Sequence, residues 1–255
     1  MTIFNRKQLQ KNQIKASKDF DKYCFLHQEV VHRMLDNIAI FKNGSWSKVL
    51  DLAIINDNLS KKIIADKIIR TAIFDNYKAD LICDDENLPF KDNSFDLIFS
   101  NLSLQFINQV PQFLLNIKNI LQKNGVFIAS FFGEENLKEL NYAMQNSENE
   151  LYNGISPRLP PTIDVKTAAM ILQKAGFKNP ISSLEKIEIT YKDPLFLLKD
   201  LKNMALGNIL TKKSQRFFTK NLLQRLIENY RKLYQNEVGE IKATFEIIII
   251  CAQKY

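Results

Sequence analysis

The stretch KVLDLAIINDN, residues 48–58, decides the expected fold. It begins as a short apolar run that ends beside the carboxylate of Asp51, which is typical of the first strand of a nucleotide-binding sheet. Such a strand is normally followed by a turn on glycines, because glycine accepts left-handed backbone angles without a steric penalty. Residues 53–57 contain no glycine. The stretch therefore predicts a nucleotide-binding fold whose ligand loop is built from residues that carry side chains.

Periodicity in the rest of the first half predicts alternating strands and helices. Apolar runs indicate buried strands at 48–54, 68–74, 79–83, 94–101 and 126–132, and apolar spacing indicates helices at 59–67 and 110–123. Gly125 is expected to end the second helix in a left-handed conformation. Strand, helix and strand at this spacing favour parallel pairing through right-handed crossovers, so this half is predicted to be a doubly wound sheet.

The second half is predicted to be mixed. Helices are expected at 134–152, 164–177, 194–206 and 215–234, strands at 183–191 and 243–253, and an irregular proline-containing segment at 154–164. Asp164 is expected to cap the start of its helix and Gly176 to close its end. We expect residues 1–44 to form a helical segment that covers the site. Residues 45–255 are expected to form one α/β domain with a helical insertion at about 193–235, packed on the sheet edge or over the ligand crevice.

Composition and charge leave several partners open. A chain of 255 residues with 45% hydrophobic residues can bury the core of an α/β domain. Its longest strongly apolar run, residues 245–252, is far below the roughly 20 residues of a membrane span, so no span is expected. The net charge of +7 fits an anionic partner such as nucleic acid or an acidic protein. Lysine is spread along the whole chain, which fits a compositional bias equally well.

Neither a metal site nor a secretory route is expected. Cys24, Cys83 and Cys251 lie far apart in the chain, and His27 and His32 are five residues apart, so a helix would not place the two imidazoles on one face. The polar N-terminal stretch lacks the apolar region of a secretory signal. We expect a cytoplasmic location, although the basic, acid-poor start leaves an organellar transit segment open.

Two long ordered motifs resemble a known family. They are DDENLPFKDNSFDLIFSNLSLQF and VPQFLLNIKNILQKNGVFIASFFGEENLKEL, and the likeness continues through ISPRLPPTIDVKTAAMILQKAGF and YQNEVGEIKATFEI. The family is the class I S-adenosylmethionine-dependent methyltransferases, in the branch that holds the malonyl-carrier-protein methyltransferases and the complex I assembly-factor arginine hydroxylases. The resemblance implies a Rossmann-like, seven-stranded, mostly parallel sheet with the last strand antiparallel. It also implies a ligand site at the carboxyl ends of the first four strands.

The resemblance further implies cofactor-binding positions on the first three strands. Asp51 and Ala53 stand in the turn after the first strand, where the family has an acid and then glycines. The acid that holds the cofactor ribose aligns with Ala72, which leaves Asp75, three residues later, as the substitute, and Asp75 would have to reach back to that position. Asp84 stands where the family has the acid that contacts the adenine amine.

After the fourth strand the sequence SNLSLQF keeps most of the family pattern. Asn101 and Leu102 are the residues expected to line the adenosyl pocket. The histidine and tryptophan of the family are replaced by Gln105 and Phe106, so the titratable group at this point is missing. The asparagine-rich stretch at 56–58 tolerates left-handed angles, so the first turn is able to form there instead of at Ala53.

Three functions remain open on the sequence. The first is methyl transfer from S-adenosylmethionine by alignment of donor and acceptor, with no catalytic residue identified. The second is an assembly factor that binds a subunit of a respiratory complex and either modifies it by hydroxylation or only holds it. Its partner surface would include basic residues of the N-terminal segment and of SPRLPP, namely Arg6, Lys7, Lys11, Lys15 and Arg158. The third is methylation of an acyl carrier protein, whose acidic surface suits the positive charge. Nucleic acid is not expected, because no Asn-Pro-Pro-aromatic motif follows the fourth strand.

Overall fold

The computed structural model describes residues 2–41, 44–212 and 217–255. Within them the strands are β1 (Trp46–Leu52), β2 (Ala65–Ala72), β3 (Leu81–Ile82), β4 (Phe95–Ser100), β5 (Leu121–Phe132), β6 (Lys178–Tyr191) and β7 (Ile241–Gln253). The helices are α1 (Arg6–Ser17), α2 (Phe20–Tyr23), α3 (Phe25–Phe41), α4 (Val110–Ile120), α5 (Lys138–Tyr152), α6 (Val165–Lys174), α7 (Pro194–Asn203) and α8 (Lys220–Tyr234).

The strands form one sheet in the order β3-β2-β1-β4-β5-β7-β6. Neighbours from β3 to β5 are parallel, and β7 runs antiparallel to both β5 and β6. This confirms the predicted seven-stranded, mostly parallel sheet with an antiparallel last strand. The order reverses at β1 and β4, so a crevice is expected beyond the carboxyl ends of these two strands.

The crossovers that lead to β2 and β3 carry no α-helix. Between β1 and β2 the chain makes only a 3-10 turn at Ser60–Lys62, and residues 73–80 between β2 and β3 form turns. The predicted helix at 59–67 is therefore wrong. Its second half is the start of β2, where Ala65 pairs with Trp46 and Lys67 pairs with Lys48. Hydrogen bonding to β1 outweighs the local helical spacing, because propensity is only a weak prior against tertiary pairing.

Two apolar clusters cover the two faces of the sheet. One is formed by α3, α5, α7 and α8 with the strands, and includes Met34, Ala143 and Leu226. The other is formed by α4 and α6, with Ile117 and Leu172 fully buried. Because both faces are covered, the central strands are continuously apolar, as their sequences indicated.

The helix ends follow the sequence signals in part. Asp164 caps α6 by accepting a hydrogen bond from the Thr167 amide at 2.8 Å, and Gly176 closes it with a φ of 80°, both as predicted. The expected left-handed stop at Gly125 is wrong. The left-handed residue there is Asn124, with a φ of 63°. Asparagine tolerates this conformation better than other residues with side chains, so glycine is not required.

The N-terminal segment, which we define as residues 2–41, crosses the carboxyl edge of the sheet. The amides of Ile3 and Phe4 donate to Oδ1 of Asn108 at 2.8 and 2.7 Å, and α1 packs against α7. Helices α7 and α8 stand between β6 and β7, where the helical insertion is expected. The division into residues 1–44 and 45–255 stays a prediction. No helix among the described residues is long and apolar enough to cross a bilayer.

Candidate cofactor crevice and its closure

Four of the six predicted site residues line one cavity at the carboxyl ends of β1 and β4. They are Asp51, Ala53, Asn101 and Leu102. Leu52 pairs with Ser100 in the adjacent strand, so the residues that follow these two strands lie side by side. The cavity is small, with a volume of ≈ 30 Å³.

Ala53 takes the backbone conformation that the family resemblance assigns to glycine. Its φ is 57°, and its amide donates to Oγ1 of Thr71 at 3.3 Å. The alternative turn at residues 56–58 is wrong, because none of these residues has a positive φ. The turn has thus kept its shape without glycine. A left-handed non-glycine residue costs about 1 to 2 kcal/mol, and alanine carries the smallest side chain that pays it.

Asp51 is buried in the cavity wall with one oxygen unpaired. The residue is 3% exposed, and its Oδ2 has no hydrogen-bond partner among the described residues. Burial raises the pKa of Asp51 well above its usual range, while the Ser60 hydroxyl and the charge of Arg70 act in the opposite direction. An unpaired buried carboxyl oxygen at the end of the first strand is a feature of a ligand site.

Asn101 and Leu102 are tied to neighbouring elements. Oδ1 of Asn101 accepts a hydrogen bond from the Ser130 hydroxyl at 3.0 Å, and Nδ2 of Asn101 donates one to the backbone carbonyl of His27 at 3.1 Å. Leu102 is left-handed, with a φ of 50°, and its amide donates to Oγ of Ser130 at 2.8 Å. The side chain of Asn101 therefore fastens α3 over the crevice.

Asp84 lies outside this cavity and is held by the N-terminal segment. Nε and Nη2 of Arg6 donate to its carboxylate at 3.1 and 2.6 Å, and Nη1 of Arg6 donates to the carbonyl of Phe106 at 3.2 Å. The adjacent Asp85 is buried, which raises its pKa to about 6 despite Arg6 at 3.5 Å. The carboxylate predicted to contact adenine is thus occupied by a guanidinium of the same chain.

Asp75 lies outside the cavity, so its role as a substitute for the ribose acid stays a prediction. This residue is exposed and lines a separate surface pocket with Asp21 and Lys78. Ala72, at the position that aligns with the ribose acid, is fully buried, and the carbonyl of the next residue, Ile73, accepts from Nε2 of Gln10 at 2.8 Å. Helix α1 therefore contacts the ends of both β2 and β3.

The residues that close the cavity were not found by sequence reasoning. Gln13, Phe20 and His27 come from α1, α2 and α3, and residues 204–206 come from the chain that follows α7. Burial lowers the pKa of His27 to about 4, so its imidazole is neutral at neutral pH. A signal was present in the sequence, because polar side chains at Gln13 and His27 interrupt otherwise apolar helix faces. Their partner elements are too distant in the chain to be identified from that signal.

The basic residues predicted as a partner surface divide into two groups. Arg6 is committed to Asp84, and Nε of Arg158 donates to the fully buried Glu148 at 2.8 Å. Both guanidinium groups are therefore ion-paired within the chain and partly buried, and their part in a partner surface stays a prediction. The lysines of α1, Lys7, Lys11 and Lys15, are exposed.

Comparisons with known proteins agree with this architecture. A family model described as a methyltransferase domain matches residues 52–129. The mouse mitochondrial arginine-hydroxylase NDUFAF5 is 31% identical over 270 residues, which cover 100% of this chain and 78% of that protein. The chain belongs to the NDUFAF5 family of methyltransferase-domain proteins. A malonyl-[acyl-carrier protein] O-methyltransferase of Gallionella capsiferriformans is 26% identical and covers 96% of this chain and 90% of that one.

The solved structures extend the likeness in fold. A putative methyltransferase of Bacillus halodurans superposes with a TM-score of 0.56 at 15% identity, and covers 88% of this chain and 98% of that one. A S-adenosylmethionine-dependent methyltransferase of Thermotoga maritima superposes with a TM-score of 0.53 at 14% identity, and covers 97% and 100%. At these identities the likeness shows the class I methyltransferase fold alone.

The cavity has a volume of ≈ 30 Å³ in this member of the NDUFAF5 family. Sites that hold cofactor-sized ligands have volumes of about 300 to 1,000 Å³, so the cavity is smaller than such a site. Asp84 is paired with Arg6, and Asp75 does not line the cavity. Among the residues that the structure describes, no three His, Cys, Asp or Glu side chains are grouped so that they could hold a metal ion.

Proposed function

We propose that this chain is a protein-directed assembly factor of the NDUFAF5 type, acting on a subunit of a respiratory complex, with its cofactor crevice closed by its own N-terminal segment. Its likeness to NDUFAF5 over the full chain supports the protein-directed role. The observation that carries the closure is the Arg6 guanidinium on Asp84, with Nη2 to Oδ1 at 2.6 Å. That carboxylate is the one that the family resemblance assigns to adenine.

The closure involves several independent contacts along α1. Gln10 reaches the backbone after β2, Arg6 reaches the acids after β3, and Gln13 lines the cavity after β1. Because one helix contacts the ends of three strands, the crevice opens only if α1 leaves as a unit. A protein that binds the exposed lysine face of α1 would be placed to drive that movement. The partner chemistry that suits this face is acidic.

Methyl transfer from S-adenosylmethionine is the second candidate. Two observations favour it, namely the left-handed turn that Ala53 preserves and the unpaired oxygen of Asp51 beside that turn. In this reading the chain's own residues would bind and orient the donor after α1 is displaced. The methyl acceptor stays unidentified, and so does any residue that would act on it.

Complementation tests the assembly role. Cells that lack their NDUFAF5 protein would be supplied with this chain, and assembled complex I would be measured on native gels. Recovery is the expected result, and it should persist in an Ala53→Val variant whose turn is distorted. No recovery by a chain that is expressed and folded would refute the assembly role. The predicted cytoplasmic location is checked separately by fractionation of the source cells.

Calorimetric titration with S-adenosylmethionine and S-adenosylhomocysteine tests the second candidate. We expect binding weaker than micromolar by the natural chain, because the closed state must open first. Micromolar binding by the unmodified chain would refute the closure. It would then favour methyl transfer as the principal function.

A further inference from the structure

The strand β6 forms a long, open edge of the sheet. It has 14 residues and pairs with β7, and among the residues that the structure describes no strand lies against its other side. The opposite edge of the sheet, β3, has only 2 residues. A long edge strand presents a row of backbone N–H and C=O groups with which a further strand is able to pair. The outer side of β6 is therefore the place where this sheet can be extended.

The exposed face of β6 carries opposite charges two positions apart. The side chains of Lys186 and Glu188 are 48% and 56% exposed. Each of them pairs with a residue of β7. Nζ of Lys186 lies 3.3 Å from Oε2 of Glu246, and Oε1 of Glu188 lies 2.5 Å from Nζ of Lys242. The sign of the charge therefore alternates both along β6 and between β6 and β7.

These charges select one register for a second copy of the strand. A two-fold axis normal to the sheet makes two β6 strands antiparallel and keeps each face on its own side, so even-numbered residues oppose even-numbered ones. With the axis at Ile187, Lys186 of each copy opposes Glu188 of the other. With the axis at Lys186 or at Glu188, that residue would oppose its own like-charged copy, which destabilises a strand pair. No other axis places the two opposite charges face to face.

The selected register continues the pattern of charge across four strands. Glu246 and Lys186 of one copy would be followed by Glu188 and Lys242 of the second copy, so negative and positive side chains alternate along the row. The two-fold axis repeats this row on its other side. Charged side chains at an edge normally prevent pairing with an arbitrary strand. A strand whose charges complement their own reversed order admits a second copy and rejects most other strands, which favours self-association.

The other side chains of β6 suit the same register. On the opposite face Ile187 would contact Ile187 of the second copy. Ile187 and Ile189 are partly buried against the cluster formed by α3, α5, α7 and α8, so the contact would extend that cluster. On the charged face the exposed Leu184 would oppose Thr190 of the second copy. Aliphatic and β-branched pairs of this kind stabilise antiparallel strands.

We propose that two copies of this chain associate through β6, antiparallel about a two-fold axis at Ile187. Residues 183–191 of each copy pair, and two seven-stranded sheets become one continuous sheet. The interface is separated from the crevice at β1 and β4 by β5 and β7, so the crevice stays accessible in the dimer. The dimer does not depend on the proposed assembly role.

Sedimentation velocity over a range of concentrations tests the charge pairing. The natural chain should dimerise as its concentration rises. Lys186→Glu and Glu188→Lys each place like charges opposite each other twice, so each should weaken dimerisation at least tenfold. An equimolar mixture of the two variants should dimerise again, because in the mixed pair every charge faces its opposite. The matched control is Lys67→Glu, which makes the same change of charge at an exposed position on β2 and should have no effect.

Cross-linking through introduced cysteines tests the register. In a Cys83→Ser background, Ile187→Cys should form a disulfide between copies when copper phenanthroline is added as the oxidant. Directly opposed Cα atoms of an antiparallel pair lie about 4.5 to 5.5 Å apart, which a disulfide can span. Ile189→Cys is the matched control on the same face, because its two copies would lie four residues out of register, about 14 Å apart, beyond the reach of a disulfide. The remaining cysteines, Cys24 and Cys251, are buried.

Several outcomes would overturn the proposal. A natural chain that stays monomeric at every concentration would exclude the dimer, and dimers that persist in both charge variants would place the contact on another surface. Equal cross-linking at 187 and 189 would contradict the register. A mixture of folded charge variants that stays monomeric would contradict the charge pairing. If a charge variant does not fold, as judged by circular dichroism, the two cysteine variants decide, since they keep all four charges. A monomeric chain could still pass the complementation test, so failure of the dimer is distinguishable from failure of the proposed assembly role.

Discussion

Replacing Arg6 by methionine should open the crevice. The side chain of Arg6 is 13% exposed and the side chain of its partner Asp84 is 30% exposed, so water screens the ion pair only partly. A hydrogen bond to a charged group contributes about 1.5 to 3 kcal/mol, and we take about 2 kcal/mol for this pair because Asp84 regains water when it is released. The same contact is lost on opening and on unfolding. The free energies of both should therefore fall by about 2 kcal/mol.

The consequence for ligand binding follows from the population of the open state. The apparent dissociation constant is the intrinsic one divided by the open fraction, so a loss of about 2 kcal/mol raises the affinity for a crevice ligand by about 30-fold. Calorimetric titration with S-adenosylhomocysteine measures this ratio, and urea denaturation measures the change in stability. Lys11→Met is the matched control, because it removes an exposed positive charge from the same helix and should change either quantity very little.

Two results would refute this reasoning. If Arg6→Met lost about 2 kcal/mol of stability without any gain in affinity, the N-terminal segment would stabilise the fold without controlling access to the crevice. If both measurements matched the natural chain, the pair would contribute nothing in solution. The control variant separates either result from a general effect of the lowered net charge.

Other predictions concern pH and the first turn. The pKa of His27 is about 4 in the folded chain against 6.5 for the free side chain, so its contribution to stability is present above pH 6.5 and is lost as the pH falls towards 4. The free energy of unfolding should therefore fall by about 3 kcal/mol over that pH range. His27→Gln should abolish this fall in urea denaturation, whereas His32→Gln should leave it unchanged. The pKa of Asp85 is raised to about 6, so its ionisation opposes folding above that pH. Asp85→Asn should stabilise the chain by up to about 3 kcal/mol at pH 7.5 and by little near pH 4, and the opposite trend would show that the carboxyl group is paired favourably. Ala53→Gly should alter the free energy of unfolding by less than about 1 kcal/mol, because relief of the left-handed strain is offset by chain entropy, whereas Ala53→Val should cost more than that. Equal losses in both variants would show that the φ of 57° is not the constraint.

Several features were predictable because their causes lie within a few residues. The cap at Asp164 and the left-handed Gly176 depend on hydrogen bonds and steric limits within one helix turn. The placing of Asp51 and Leu102 at one edge follows from two buried parallel strands, each recognisable as an apolar run. The helix expected at 59–67 was wrong, because pairing of that stretch with β1 is a contact between distant parts of the chain.

A covering N-terminal segment was expected, but the contacts through which it closes the crevice were not predictable, for the same physical reason. Arg6 is 78 residues from Asp84, and Gln13 and His27 are far in the chain from Asp51, so no local pattern records that they meet. Sequence comparison by itself indicated which acids remained and which glycines were lost. It did not indicate that the guanidinium of Arg6 pairs with Asp84, the acid that the resemblance assigns to adenine.

The sequence by itself determined the order of the strands along the chain, the fold class, and the loss of glycine from the first turn. These properties follow from apolar periodicity and from backbone sterics, both of which act between near neighbours. The tertiary structure decided that Ala53 keeps the left-handed turn, that Arg6 occupies Asp84, and that Gln13, His27 and Asp51 surround one small polar cavity. These depend on packing the N-terminal segment across the sheet edge, where burial removes water and makes each charge and each unpaired acceptor matter.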